Sequence, residues 1–352
     1  MTTAPKLTIE PVKPDLPPDV EPRRLGRRAL QTTLLLGVLV GIVLLAPGLG
    51  EVRRQLGHAN GSWLALAVAL EALSCSSYAL GFRPVFCRTM SLRTAWEISW
   101  AELAMGSIVP ASGAGGLALG AWILRRGGMP AEKIARRSVA FLLIKSSVNF
   151  AAVVVIGAVM AVGLVGPSQP LWRTALPAAL SLAVMVGVIV LGRLDHGPEP
   201  AADAGRKSRW AAAARKATIG GINEAIALLK ARDPAVIFGA FGYWAFDNAV
   251  LWATFHAVGA SPPISIILLG YLIGQLGGAL PLPGGVGGID LGLVGTLIVY
   301  GAPPNATVAA VLAYRVILFW LPLLVGAATF WSLRRSLNRV ERPDLCYPPL
   351  SV

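Results

Sequence analysis

The chain has 352 residues, of which 55% are hydrophobic and 14% charged. Several of its apolar runs reach about 20 residues, the length that crosses a bilayer, which excludes a soluble globular enzyme and reads as an all-α polytopic integral membrane protein. The formal net charge of +13 is gathered between the apolar runs; this is the pattern of cytoplasmic membrane-protein loops, not of a nucleic-acid binder.

Residues 1–28 form a tail rich in Pro and acids as far as Pro22, with too few large apolar residues to fold. It ends on Arg23, Arg24, Arg27 and Arg28, which hold it in the cytoplasm ahead of a first span at 29–49. That run is too long, and its tail too extended, for a cleaved signal peptide. Arg53 and Arg54 follow on the predicted outer side, a breach of the positive-inside rule. A second span, Trp63 to Phe82, returns to an inner loop with Arg83, Arg88 and Arg93.

The segment 95–124 is apolar but broken in its middle by Pro110-Ala-Ser-Gly-Ala-Gly-Gly116. Proline removes a backbone donor and glycine weakens helix, so these residues interrupt a membrane helix. Basic residues flank the segment on both sides, the later set being Arg125, Arg126, Lys133, Arg136 and Arg137. A re-entrant helical hairpin places both flanks inside, whereas two full crossings would each fall short of the ~20 residues a span needs. Ser138 to Val165 then crosses outward and Leu171 to Leu191 crosses back.

The polar linker 194–234 carries Arg206, Lys207, Arg209, Arg215 and Lys216, with Ile219, Ile222, Ile226 and Leu229 at helical spacing. It reads as an amphipathic helix on the inner leaflet or as a solvated linker helix. Ala235 to Val258 crosses outward. The segment 264–300 is broken by Leu280-Pro-Leu-Pro-Gly-Gly-Val-Gly-Gly-Ile-Asp290, and its flanks, 259–263 and 301–305, are uncharged. That predicts a second hairpin, entering from outside. Ala306 to Trp331 crosses inward to Arg334, Arg335, Arg339 and Arg342, and the tail 336–352 ends in the cytoplasm.

One shift of 173 residues lays Pro110 on Pro283, Gly115 on Gly288, Gly128 on Gly301, Pro130 on Pro303 and Ala140 on Ala313. The same shift lays the second span, near Trp63, over the span beginning near Val236. The expected architecture is therefore about six full transmembrane helices plus two re-entrant hairpins in an inverted repeat. The first repeat covers 29–165 and the second 166–335. The hairpin backbone positions are Pro110, Gly113, Gly115 and Gly116, then Pro283, Gly284, Gly285, Gly287 and Gly288. Broken helices meeting near mid-bilayer are a transporter pattern.

Ionisable residues inside the apolar runs are Glu71, Glu97, Glu102, Lys145, Asp247, Asp290 and Arg315. Each costs about 2.5–3.5 kcal/mol or more at a helix centre in lipid, so each is expected to face protein or water. Lys145 and Asn149, four apart, share a helix face. Lys145 is expected to pair with Glu102 or to snorkel inward. Arg315 is placed to reach the second hairpin and pair with Asp290, or to snorkel to the outer interface. Asp247 with Asn248 reads as a polar helix contact, and Glu71 and Glu97 as interfacial residues. Cys75, Cys87 and Cys346 fall in spans or cytoplasmic segments, where no disulfide is expected. His58, His196 and His256 are isolated and suggest no zinc site. Gly284 to Asp290 lacks the lysine of a phosphate loop, and no strand precedes it. No catalytic residue, metal or cofactor is expected, and nothing in the sequence sets an oligomeric state.

Pro281 to Asp290, Gly301-Ala-Pro-Pro304, Ala313-Tyr-Arg-Val316 and Phe319-Trp-Leu-Pro322 resemble the C-terminal signature of the lysylphosphatidylglycerol synthase/flippase membrane-domain family. In that resemblance Asp290 stands where the family has glutamate, and Tyr314 and Arg315 take its tyrosine–arginine. Pro110 to Gly120 resembles the family's first proline–glycine segment, with the departure that Leu117, Ala118 and Leu119 replace its charged residues. The resemblance implies a flippase moving an amphiphilic, anionic or phosphate-bearing lipid between leaflets of a bacterial inner membrane. Arg315, Asp290, Lys145, Asn149, Glu102 and Tyr314 are the candidate binding residues. The chain shows no aminoacyl-transferase domain and is not expected to synthesise aminoacyl-lipids by itself. Two alternatives stand beside it: a membrane scaffold for a lipid-modifying enzyme partner, and an intramembrane transferase acting on a lipid carrier.

Overall fold

The computed structural model describes residues 48–108, 114–194, 205–275 and 288–337, with scattered helical positions between 27 and 45. Most of the expected first span and of both tails therefore lies outside the described residues. So do the hairpin tips, with Pro110, Gly113, Pro283, Gly284, Gly285 and Gly287. Among the described residues the fold is all helical. It comprises α1 (Gly50–Gly57), α2 (Gly61–Phe86), α3 (Leu92–Ile108), α4 (Ala114–Arg126), α5 (Ala131–Ala161) and α6 (Leu171–Leu191). After these come α7 (Arg206–Lys230), α8 (Pro234–Ala257), α9 (Ile264–Gln275), α10 (Gly288–Val299) and α11 (Pro304–Leu337).

Four of these helices, α2, α5, α6 and α11, are long and apolar enough to cross a membrane. α8 has 24 residues, but Asp247 and Asn248 in its middle dilute its apolar character. α9 and α10 have 12 residues each. At 1.5 Å per residue each is about 18 Å long, well short of a ~30 Å hydrocarbon core. The predicted first hairpin, 95–124, has its arms at Leu92–Ile108 and Ala114–Arg126.

Local chemistry explains where the helices start. The side chain of Asn60 accepts from Ser62 N–H at 2.9 Å and caps α2. That of Asp233 accepts from Ala235 N–H at 2.9 Å and caps α8, with Pro234 in its first turn. Asn60 and Asp233 are 173 residues apart. Under the same shift the start of α5 falls on that of α11, and the starts of α3 and α4 fall within one residue of those of α9 and α10. Gly128 and Gly301, also equivalent, hold φ of 86° and 100° in the turns before the two long helices. A side chain at either would be strained.

Two apolar clusters fill the interior. One joins Phe82, Phe86, Ile98, Ile123, Phe141 and Leu333. The other joins Val52, Val153, Met160, Leu251, Leu297 and Ala306. The start of α5 thus shares one cluster with the end of α11, and the end of α5 shares the other with the start of α11, so these two helices run in opposite directions.

α2 and α8 form the central crossing. A Cβ on Gly239 would stand 2.6 Å from the Gly81 Cα, and one on Gly242 would stand 3.0 Å from the Ser77 Cβ. Small residues let two backbones approach closely, which is how helices associate where apolar burial gives no preference over lipid. α6 packs on α5 by the same device. A Cβ on Gly157 would meet Thr174 O at 2.8 Å, while Leu176, Leu180 and Val184 of α6 point outward.

α7 docks on the first turns of α5. Glu224 accepts from Arg136 Nε at 2.8 Å and Arg137 Nε at 3.0 Å, and Lys216 pairs with Glu132 at 3.1 Å. Of the expected apolar stripe, Ile219 and Ile222 are buried against protein, whereas Leu229 is exposed. Arg88 joins the same end of the molecule by pairing with Asp233 at 2.7 Å.

Cys75 is free and buried. Cys87 is disulfide-bonded, against the expectation of unpaired thiols, and its partner lies outside the described residues.

Gly239→Val should overpack the central crossing and cost about 1–3 kcal/mol. Gly295→Ala, with nothing within 4 Å of the added carbon, should be neutral or stabilising by about 0.5–1 kcal/mol. Thermal unfolding of the purified protein in detergent, followed by size-exclusion fluorescence, checks both; equal midpoints for the two variants would contradict the packing account.

Candidate functional site

A cavity of about 280 Å³ lies where the two apolar clusters meet. Phe141 and Tyr78 on its wall belong to one cluster; Ile289 and Leu318 pack on the other. Glu71, Ser74 and Tyr78 reach it from α2, Glu102 from α3, Lys145 from α5, Tyr243 and Asp247 from α8, and Arg315 from α11. Lys145 and Asp247 fall near the middles of their helices.

Equivalent positions of the two halves line the same space. Ser74 corresponds to Asp247, Glu102 to Gln275, Gly116 to Ile289, Leu142 to Arg315 and Lys145 to Leu318. In four of these five pairs a charged residue faces a neutral counterpart. The scaffold is repeated and the chemistry is not.

Buried ionisable groups need partners, and the cavity supplies them through tyrosines. The Tyr78 hydroxyl donates to Glu102 Oε2 at 2.9 Å. The Tyr271 hydroxyl donates to Asp247 Oδ2, and the Tyr314 hydroxyl to Asp247 Oδ1 at 2.9 Å. The Lys145 ammonium lies 5.4 Å from the Tyr78 ring centroid and 5.2 Å from that of Tyr243, both cation–π contacts. Tyr78 therefore stands between Lys145 and Glu102, and the expected direct pair is replaced by this three-membered array. Among the described residues Lys145 has no carboxylate oxygen within 4 Å.

Arg315 Nε pairs with Asp290 Oδ1 at 3.1 Å, with both side chains about nine-tenths buried. Asp290 stands in the first turn of α10, where the helix dipole favours a negative charge. Arg315 lines the cavity and Asp290 braces it from behind. Asn149 is not part of the cavity wall, and its Oδ1 is buried without a partner among the described residues.

Glycines set how closely the short helices pair. A Cβ on Gly116 would stand 3.1 Å from the Glu102 carbonyl carbon, and one on Gly120 would stand 2.6 Å from the Glu102 carboxyl carbon. Between α9 and α10 a Cβ on Gly274 would stand 2.7 Å from the Leu293 Cα. Gly288 opens α10 and is buried.

Glu71 is a correction. The interfacial reading fails: Glu71 stands midway along the apolar run 63–82, only 5% of its surface is exposed and it lines the cavity. Asp247 makes the polar helix contact expected of it, to Tyr271 of α9 and Tyr314 of α11, and lines the cavity as well, whereas Asn248 donates within its own helix to Trp244 O at 2.8 Å. Tyr78, Tyr243 and Tyr271 carry no sequence signal of their own; their spacing from the acids, 24 residues in Tyr78–Glu102 and again in Asp247–Tyr271, gains meaning only once the helices are packed. Glu97 meets Arg93 Nε at 3.2 Å and lies outside the cavity.

The comparison with known proteins agrees with this architecture. Two curated proteins described as UPF0104 membrane proteins, from Methanothermobacter thermautotrophicus, are similar to parts of the chain. One is 31% identical over 85 residues, 24% of this chain and 25% of the relative. The other is 37% identical over 90 residues, 25% of this chain and 26% of the relative. The chain thus aligns with about a quarter of the length of each. The model of the lysylphosphatidylglycerol synthase TM region matches residues 33–326. With its long apolar helices, the chain is a multi-pass membrane protein and belongs to that family.

Proposed function

We propose that the protein carries the headgroup of a phosphate-bearing lipid across the bilayer, its acyl chains remaining in the surrounding lipid. The observation that carries this reading is the charged cavity built jointly by both halves of the chain. Its 280 Å³ equals roughly nine waters at ~30 Å³ each. That is the scale of a headgroup, far below that of two acyl chains. Arg315 and Lys145 offer a guanidinium and an ammonium to phosphate oxygens, and Glu71, Glu102 and Asp247 offer acceptors to hydroxyl or amine groups.

In this reading α3–α4 and α9–α10 are re-entrant hairpins, and the two halves are inverted repeats. The supports are the short arms, the shared shift of 173 residues and the opposed helix directions. The end bearing Arg88, Arg136, Arg137 and α7 faces the cytoplasm of an inner membrane, with both termini on that side, because basic residues are retained there. Transport proceeds by exposing the cavity to one leaflet and then the other, without covalent chemistry.

Purified protein in vesicles should move a fluorescent phosphate-headgroup lipid between leaflets, read by quenching of the outer-leaflet label. Arg315→Ala should slow this several-fold at unchanged protein content. Absence of movement by the wild type would sink the proposal. A stability cycle separates holding the fold from binding. Arg315→Ala or Asp290→Ala alone should cost about 3–5 kcal/mol through the charge left buried, and the double variant less than their sum. Thermal unfolding in detergent measures the difference; strict additivity would mean the pair is uncoupled.

A further inference from the structure

Glu71 stands apart from the other cavity acids in one respect. Glu102 and Asp247 accept hydrogen bonds from tyrosine hydroxyls, and Asp290 has Arg315. Glu71 receives only the Cys75 thiol, which donates to Oε1 at 3.3 Å. Its Oε2 is buried and has no hydrogen-bond partner among the described residues.

The groups that share its surroundings are fixed elsewhere. On its own helix are Cys75 and Tyr78. Across the cavity are Tyr243 and Asp247 on α8, Glu102 on α3, Lys145 on α5 and Arg315 on α11. Lys145 is held on two tyrosine rings, and Arg315 on Asp290. Behind Asp247, Tyr271 and Tyr314 spend their hydroxyls on that carboxylate. Neither cation lies within 4 Å of Glu71, and a second acid, Asp247, lines the same space. An unshared carboxylate charge with one oxygen buried in a membrane-embedded wall costs several kcal/mol, which a bound cation removes. A metal ion would need several ligands in a cluster, and no group of three or more metal-binding side chains occurs among the described residues. A proton needs one oxygen and finds it at Oε2.

We propose that Glu71 is a coupling-proton site, whose carboxylate takes up a proton at Oε2 and releases it to cavity water in step with headgroup passage. The neutral acid formed is then a hydrogen-bond donor facing the headgroup space. This assignment rests on the translocation reading, but its chemistry is measurable without transport.

The test has two arms. In the first, the full chain is purified with isotopically labelled glutamate, and the infrared carbonyl band of protonated glutamic acid is recorded. The wild type should show a band that Glu71→Gln lacks. Cys75→Ala, which leaves Glu71 in place, should shift that band by removing the thiol from Oε1, so the assignment survives even if Glu71→Gln fails to fold. A spectrum from which neither variant removes or shifts any protonated-acid band overturns the proposal.

In the second arm, vesicles carry an imposed pH gradient or an imposed sodium gradient. The pH gradient should change wild-type lipid movement several-fold, and Glu71→Gln should move lipid at a rate indifferent to it. Lipid movement that ignores the pH gradient, or follows sodium instead, overturns the coupling and leaves translocation intact. A glutamic-acid band with no lipid movement under either gradient instead removes translocation.

Discussion

Ionisable side chains in an apolar interior are the constraint around which this molecule is arranged. Water is scarce there, so every charge must meet a hydrogen-bond donor, an opposite charge or a ring face. The chain uses all three: tyrosine hydroxyls on Glu102 and Asp247, a guanidinium on Asp290, and two tyrosine rings on Lys145. The partners come from different helices. The charges therefore stitch α2 to α3, α8 to α9 and α11, and α10 to α11. Packing without them would leave the glycine-mediated contacts alone to fix which helix lies beside which.

Two copies of one set of local instructions build the frame. A short polar cap starts α2 and α8, and a left-handed glycine turns the chain into each of α5 and α11. The two ends of α5 and α11 share the two apolar clusters in opposite order. Identical copies would duplicate every charge at the meeting point and set like against like. Here the repeat has diverged where that conflict arises: Glu102 faces a glutamine counterpart, Lys145 a leucine and Arg315 a leucine. The cavity is asymmetric in charge although the helices around it start within one residue of equivalent positions.

Much of this was legible in the sequence because it depends on local chemistry. Apolar runs gave the long helices, and the proline–glycine stretches that separate α3 from α4 and α9 from α10 in sequence fall outside the described residues. The equivalence of Gly128 with Gly301 was visible before their backbone angles were known. What remained hidden depends on helix rotation. Asp247 and Asn248 are neighbours in sequence and point about 100° apart on a helix of 3.6 residues per turn, so one enters the cavity and the other does not. Glu71 is the eleventh of the 26 residues of α2, a depth that already speaks against the interface; which neighbours enclose it depends on the packing of α8 against that face. Asn149 illustrates the converse, since sharing a face with Lys145 did not bring it to the cavity wall.

The long helices also anchor the short ones. A Cβ on Gly326 of α11 would meet the Trp100 carbonyl carbon of α3 at 3.0 Å, so α3 leans on α11. Reciprocally, a Cβ on Gly166, in the turn after α5, would meet the Ser265 Cβ of α9 at 3.3 Å. α5 and α11 thus each carry one cavity cation, Lys145 or Arg315, and the contacts at their ends reach α9 and α3. Small residues at these contacts let the backbones approach with no side chain between them, so the cations are held on helices whose ends are fixed by close packing.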